Sequence, residues 1–252
     1  MTTTAPARDA APRRPSLDRR VAMRLAAEEY SRVTDQLRVL PAEAWTAPTD
    51  CPGWDVRAMA SHVLGMADMA GSLREQRRQV RAAHRRGGDF LDALTGLQVD
   101  EHRSLRPAEI VEQLAVAGPK AVRGRRRTPG FIRRLTMPER QLVGGVTEAW
   151  TIGFLVDVIL TRDPWMHRID IARAVGVEPV LTPEHDGVLV ADVAAEWAER
   201  LGRPVRLELA GPAGGAWSWG AGGETVQMDA VEFCRSLSGR GADGVLGVAV
   251  PF

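Results

Sequence analysis

His62, Asp163 and His167 are the residues of this chain whose types and spacing fit one piece of chemistry, the binding of a divalent cation. Asp163 and His167 lie four apart in the run Arg162-Asp163-Pro164-Trp165-Met166-His167-Arg168-Ile169-Asp170. On a helix, side chains four apart point to the same side and can reach one ion. His62 ends the run Cys51-Pro52-Gly53-Trp54-Asp55-Val56-Arg57-Ala58-Met59-Ala60-Ser61-His62 and would join from a second helix. Three protein ligands with one position left open is the arrangement of a catalytic zinc, whereas structural zinc is usually closed by four. Each residue also has a plainer role open to it. His62 falls near Met59, Val63 and Met66, where a hydrogen-bonded core histidine would also sit. Asp163 followed by Pro164 fits a helix N-cap and first-turn pair. Asp170 would either accept the second ring N–H of His167 or pair with Arg168 or Arg173. His84, His102 and His185 stand in polar, charged surroundings and read as surface residues.

The elements that must bring these residues together read as follows. The apolar residues Val21, Leu25, Ala26, Tyr30, Val33, Leu37 and Leu40 recur at helical spacing over 16–40, with Ser16 as N-cap and Pro41 as stop. A second helix begins near Asp55 and extends toward Gly87-Gly88. Further helices are expected over 90–102 and 107–125, the latter with Pro107 in its first turn. The stretch 125–138 reads as basic and irregular. A long helical segment is expected over 141–175, kinked or divided at Pro164 and ended by Gly176. After Pro183 the texture changes to a helix over 186–201, strands over 205–209, 216–219 and 225–228, a helix over 229–237 and a last strand over 245–250. The fold class expected is mainly α: an N-terminal four-helix bundle, which places sites between facing helices, followed by a small C-terminal α/β (α+β) domain. The expected division is a disordered tail over 1–15, the bundle over 16–180 and the small domain over 181–252.

Composition narrows the classes. The chain has 252 residues, 44% apolar and 26% charged, within the range of a globular protein. No apolar run reaches the length of a membrane span, and 1–15 lacks the apolar core of a signal peptide. Cys51 and Cys234 are the only cysteines, too few for a disulfide framework, so the cytoplasm is the expected compartment. A monomer with no membrane partner is expected. One Lys stands against 32 Arg, the residue usage of a GC-rich genome. The net charge of +1 is unevenly spread, with 25 basic against 17 acidic residues over 1–140 and 8 against 15 over 141–252. Eight basic residues fall between Lys120 and Arg140, a run that would suit phosphate contacts. Phe131 is the only aromatic interleaved there and no nucleic-acid-binding motif accompanies it, so a solvated basic loop is expected and no nucleic acid partner.

The segments Trp45…Cys51-Pro52-Gly53-Trp54-Asp55-Val56…His62-Val63-Leu64-Gly65 and Arg162-Asp163-Pro164-Trp165-Met166-His167-Arg168-Ile169-Asp170-Ile171-Ala172-Arg173 resemble the two metal motifs of the mycothiol-dependent maleylpyruvate isomerase family, an actinobacterial branch of the DinB-like metal-binding bundles. Gly215-Ala216-Trp217, Ser238-Gly239-Arg240 and Val250-Pro251-Phe252 are similar to that family's small C-terminal domain, so the likeness covers about 17–252. The resemblance implies a divalent metal, usually zinc, on His62, Asp163 and His167. It also implies mycothiol as thiol cofactor, a small electrophilic substrate, and either cis–trans isomerisation or thiol S-transfer. Arg240 matches the family's Gly-Arg and would meet an anionic group of substrate or cofactor, as the catalytic residue outside the metal set. The isomerases carry Glu where this chain has Asp163, one methylene shorter, which changes the reach to a metal. A non-catalytic metal-binding regulatory or interaction protein of the same fold is the rival reading, and a lipid or small-molecule carrier a weaker one.

Overall fold

Asp18, not Ser16, starts the first helix: its carboxylate accepts from the N–H groups of Arg20 and Val21, and α1 runs Arg19–Arg38. Ser16 donates its hydroxyl to Asp192 instead. The computed structural model describes residues 11–241 and 246–252. Of the tail expected over 1–15, residues 1–10 lie outside the described residues, while Arg13 pairs with the backbone beside Trp150.

The second helix does not continue through the charged stretch to Gly87-Gly88. α2 spans Val56–Gly71, capped by the Asp55 side chain on Ala58 N, and Ser72 in extended backbone caps a new helix, α3, Leu73–Arg86. α4 (Phe90–His102) and α5 (Pro107–Arg127) follow, with a short α6 over Gly130–Arg133. The expected helix over 141–175 is corrected at its start. β1 (Gln141–Val143) and β2 (Val146–Glu148) pair antiparallel. Gly144 and Gly145 both have positive φ, the two-residue turn that suits a hairpin, and the β-branched residues beside them favour strands. The helix begins only at α7 (Ile152–Phe154), passes through a π-helical turn (Leu155–Ile159) and continues as α8 (Leu160–Ala174).

A second π turn, Pro183–Gly187, leads into α9 (Val188–Leu201). β3 (Val205–Ala210), β4 (Gly215–Trp219) and β5 (Glu224–Asp229) form a sheet in the order β4-β3-β5, with β3 antiparallel to β4 and parallel to β5. Val205, Leu207 and Leu209 alternate inward against α9 and α10 (Ala230–Leu237). The last strand is not found: Val245 lies outside the described residues and 246–250 is turn and irregular chain, held by Val250 N donating to Leu237 O.

The bundle is α1, α2, α5 and α8. α3 and α4 form an excursion on the α2 side. Gly124 makes the closest helix approach possible, since a Cβ there would lie 2.3 Å from Ala70 O. Gly124→Ala is therefore expected to destabilise the fold by about 1–3 kcal/mol, read as a lower urea midpoint. An unchanged midpoint would mean that α2 and α5 are not clamped there. α8 belongs to two cores at once. Trp165, Met166 and Ile169 pack with the C-terminal part, and Ile171 packs with the bundle. Nearly every residue from Leu160 to Ala172 is buried, including Arg162, His167, Arg168 and Asp170. Buried charges require partners. Arg168 meets Glu29 at 2.7 Å and Asp186 at 2.6 Å. His185, expected at the surface, is buried with Nε2 2.7 Å from Glu29, because the π turn folds it under α1.

Candidate metal centre

The run Cys51-Pro52-Gly53-Trp54 is a tight turn. Trp54 N donates to Cys51 O at 3.0 Å, and Gly53, at φ +80°, supplies the positive φ that a type II turn needs after Pro. The turn delivers Trp54 to the site, with its ring centroid 5.2 Å from that of His62 and 6.1 Å from that of His167. Asp55 then caps α2, which carries His62 two turns on into the space between α2 and α8.

On the facing side Pro164 lies inside α8, so Asp163 is not the cap of a new helix. Proline has no N–H and leaves the carbonyl four residues back without its helical donor. The buried Arg125 guanidinium supplies donors there: Nη1 to Leu160 O at 2.8 Å, Nε to Val156 O at 2.6 Å, and Nη2 to Thr161 Oγ1 at 2.6 Å. The π turn and the proline thus remain helical, and Asp163 and His167 stay one turn apart on one side.

Asp163 Oδ1 lies 3.3 Å from His62 Nε2 and 3.4 Å from His167 Nε2. The two imidazole rings meet edge to face with centroids 5.2 Å apart. One ligand atom from each residue falls within 4.8 Å of the others. Asp163 Oδ2 is buried with no hydrogen-bond partner among the described residues. Both histidines direct Nε2 inward because Nδ1 is engaged outside: His62 Nδ1 is 2.8 Å from Gln98 Oε1, and His167 Nδ1 is 3.4 Å from Asp170 Oδ2. Burial acts to raise the Asp163 carboxyl, but the electrostatic and hydrogen-bond interactions with the His62 and His167 rings outweigh it and hold the group well below the carboxylate range. Burial acts to lower His167, and Asp163 outweighs it, raising the imidazole well above its ordinary value. A carboxylate set between two inward ring nitrogens, with one buried oxygen unpartnered, is a donor set that fits a divalent cation, and N, N, O is a zinc-type set.

Asp170 ties this centre to the C-terminal part. It accepts from Arg240 Nε at 2.9 Å and Arg235 Nη1 at 3.1 Å. Burial works against its ionisation, and His167 and the two guanidinium groups keep its carboxyl below the usual range. Cys51, His167 and Asp170 also converge. Two arginines already neutralise Asp170, so this second set reads as an outer layer rather than another ion site. Arg240 Nη2 lies 3.4 Å from Cys51 Sγ. The same arginine lines a cleft of about 540 Å³, together with Leu91, the Gln141–Gly144 turn, Trp150 and Phe252. None of the three candidate ligands lines that cleft, and Arg240 is the link between the two.

Gln98, Arg235 and Trp54 were not singled out from sequence. Trp54 belongs to the Cys51-Pro52-Gly53-Trp54 run that resembles a metal motif, whereas Gln98 and Arg235 carry no local signal. The basic run from Lys120 to Arg140 is partly structural, since Arg125 and Arg133 are buried and spend their donors on backbone carbonyls and Asp157.

Residues 26–172, more than half of the chain, match the family model described as the mycothiol maleylpyruvate isomerase N-terminal domain. Two uncharacterized proteins of Mycobacterium tuberculosis are each 27% identical over 226 residues, which is 83% of this chain and 81% of theirs. The crystal structure of the mycothiol-dependent maleylpyruvate isomerase superposes with TM-score 0.57 at 16% identity, and that of a histidine-to-alanine mutant of it with 0.56 at 17%. Each comparison covers 90% of this chain and 91% of the other, and at this identity the likeness is one of fold.

Proposed function

Because this chain belongs to the mycothiol maleylpyruvate isomerase N-terminal domain family, we propose that it is a metal- and mycothiol-dependent enzyme acting on a small electrophilic substrate, by cis–trans isomerisation or by thiol S-transfer. The convergence of His62, Asp163 and His167 around a buried, unpartnered carboxylate oxygen carries this reading. A divalent cation, zinc by its donors, supplies one thing when bound: a thiol that ionises near about 8.5 in water is deprotonated at the metal and becomes a nucleophile at neutral pH. The chain's residues do the rest. His62 and His167 hold Nε2 inward, Trp54 covers both rings from the loop side, and Asp170 keeps His167 oriented. Arg240 stands between the centre and the cleft with Nη1 free of partners among the described residues, placed to meet a carboxylate of substrate or thiol. Isomerase and S-transferase differ only in whether the carbon–sulfur bond is broken again before release. On this reading the partners are mycothiol and a small molecule, the compartment is the cytoplasm and the working unit is a monomer without nucleic acid. Among the described residues no helix is long and apolar enough to cross a membrane.

Elemental analysis of the purified protein, followed by turnover of unsaturated carboxylates and alkylating electrophiles with and without mycothiol, tests the reading. About one zinc per chain and strictly thiol-dependent turnover are expected. Arg240→Ala should lower kcat/KM and leave metal content unchanged. Metal at full occupancy with no thiol-dependent turnover would favour a regulatory protein, and no metal after zinc dialysis would remove the basis of the reading.

A further inference from the structure

We propose that Gln98, oriented by Gln79, is a positioning residue for the metal centre: it holds His62 with Nδ1 protonated, so that the Nε2 lone pair faces Asp163 and His167. This inference rests on the metal-centre reading above.

The direction of every hydrogen bond in the chain of amides follows from its far end. Gly65 O, a backbone carbonyl, can only accept, and Gln79 Nε2 lies 3.0 Å from it. Gln79 Oε1 is thereby turned to Gln98 and accepts from Gln98 Nε2 at 2.9 Å. Gln98 Oε1 is left facing His62 Nδ1 at 2.8 Å, and an oxygen there requires an N–H on the ring. Reversing either amide would set two oxygens or two NH2 groups against each other. Secondary contacts agree: Gln79 Nε2 also donates to Glu75 Oε1 at 3.0 Å, and Gln98 Nε2 lies 3.2 Å from Met66 Sδ. Glu75 is itself held by Arg78, which also grips Glu101 on α4.

Both glutamines are fully buried at 0% exposure. They lie beside the small apolar cluster of Met69, Ala83, Ala93 and Leu94. Burying two amides costs desolvation that apolar residues of the same size would avoid, so packing alone does not call for them. The backbone is shaped around the contact as well. A Cβ on Gly65 would lie 2.6 Å from Gln98 Cβ and 3.3 Å from its Cα. Only glycine in the middle of α2 lets α4 come close enough for the Gln98 side chain to reach His62. The α3–α4 excursion, which the four-helix body does not need, is the element that delivers this relay.

The two histidines are thus set by different means. His167 is held by a carboxylate that two arginines neutralise, and His62 by a neutral amide chain anchored on backbone. The amide chain adds no charge to the centre, whereas Arg235 and Arg240 together outnumber the single charge of Asp170.

The test is zinc affinity by competition with a chromophoric chelator for the parent protein, Gln98→Met, Gln79→Met and His62→Ala, with the thermal midpoint of each metal-free protein measured alongside. Methionine keeps the length of glutamine and removes the amide. Gln98→Met is expected to weaken zinc by about 10- to 100-fold, the usual effect of losing the partner of a ligating histidine. Gln79→Met, two bonds removed from the ring, should weaken it in the same direction by less. A purely structural role would lower the midpoints and leave the affinity of the folded protein unchanged. Zinc affinity in Gln98→Met within about twofold of the parent, while His62→Ala loses zinc, would overturn the inference and leave the metal-centre reading standing. Zinc binding that is absent in the parent, or unchanged in His62→Ala, would overturn the metal-centre reading itself and this inference with it.

Discussion

His167→Ala is expected to lose stoichiometric metal binding and, with it, thiol-dependent turnover. Structural zinc sites bind with roughly 10–16 kcal/mol spread over four ligands, so each ligand stands for about 3 kcal/mol, on the order of 100-fold in affinity or more. His62→Ala should fall by a similar factor, since the two Nε2 atoms are placed almost symmetrically about Asp163 Oδ1, at 3.3 and 3.4 Å. Asp163→Asn should fall as far, because it replaces the one anionic oxygen donor between two rings with an amide. Asp163→Glu should retain metal and alter its affinity, as the added methylene moves the carboxylate against rings that Gln98 and Asp170 hold fixed. Elemental analysis and chelator competition read these changes, with far-ultraviolet circular dichroism as the check on folding. If either histidine variant kept one metal per chain at parental affinity, the three-residue site would be wrong.

Arg162→Ala is expected to cost about 3–5 kcal/mol of stability, the range for breaking a buried ion pair from one side. Arg162 is 1% exposed and sits between Asp192 and Glu196 of α9, each at 2.7 Å. It also donates to Pro251 O at 3.1 Å and lies over the Phe252 ring, with Cζ 5.9 Å from the centroid. The loss should fall toward the lower end. Glu196 keeps Arg200 at 2.7 Å, and Asp192 keeps the Ser16 hydroxyl, so neither carboxylate is left bare. Urea unfolding of the metal-free protein measures it. A loss below about 1 kcal/mol would show that the α8–α9 contact is carried by Trp165 and its apolar neighbours instead.

The Asp163–His167 spacing and the helices that carry the site were readable from local pattern, because capping residues, apolar periodicity and an i, i+4 pair are properties of short segments. What was not readable depends on distant partners. Pro164 reads as a helix start when taken alone; it lies inside α8 because Arg125, thirty-nine positions earlier, occupies the carbonyl that proline leaves open. Arg125 and Arg133 looked like members of a basic surface because a run of arginines carries no sign of which ones face carbonyls. His185 looked exposed because its neighbours are polar, and Glu29, which buries it, belongs to α1. Gln98 lies in a helix with no sign of chemistry, and only the contact between α4 and α2 makes it a partner of His62. The hairpin over 141–148 differs from the expected helix for a local reason, since Gly144 and Gly145 at positive φ form a two-residue turn between β-branched residues.

A helix with no face in water has a consequence for energetics. α8 gives Trp165, Met166 and Ile169 to one core and Ile171 to the other, while Asp163 and His167 occupy the interval. Anything that grips those two residues grips the seam between the lobes. Binding that favours the docked arrangement stabilises it by mass action, and the coupling is reciprocal. The C-terminal part supplies no candidate ligand among the described residues, yet through Asp170, Arg235 and Arg240 its docking would be coupled to any binding at His167.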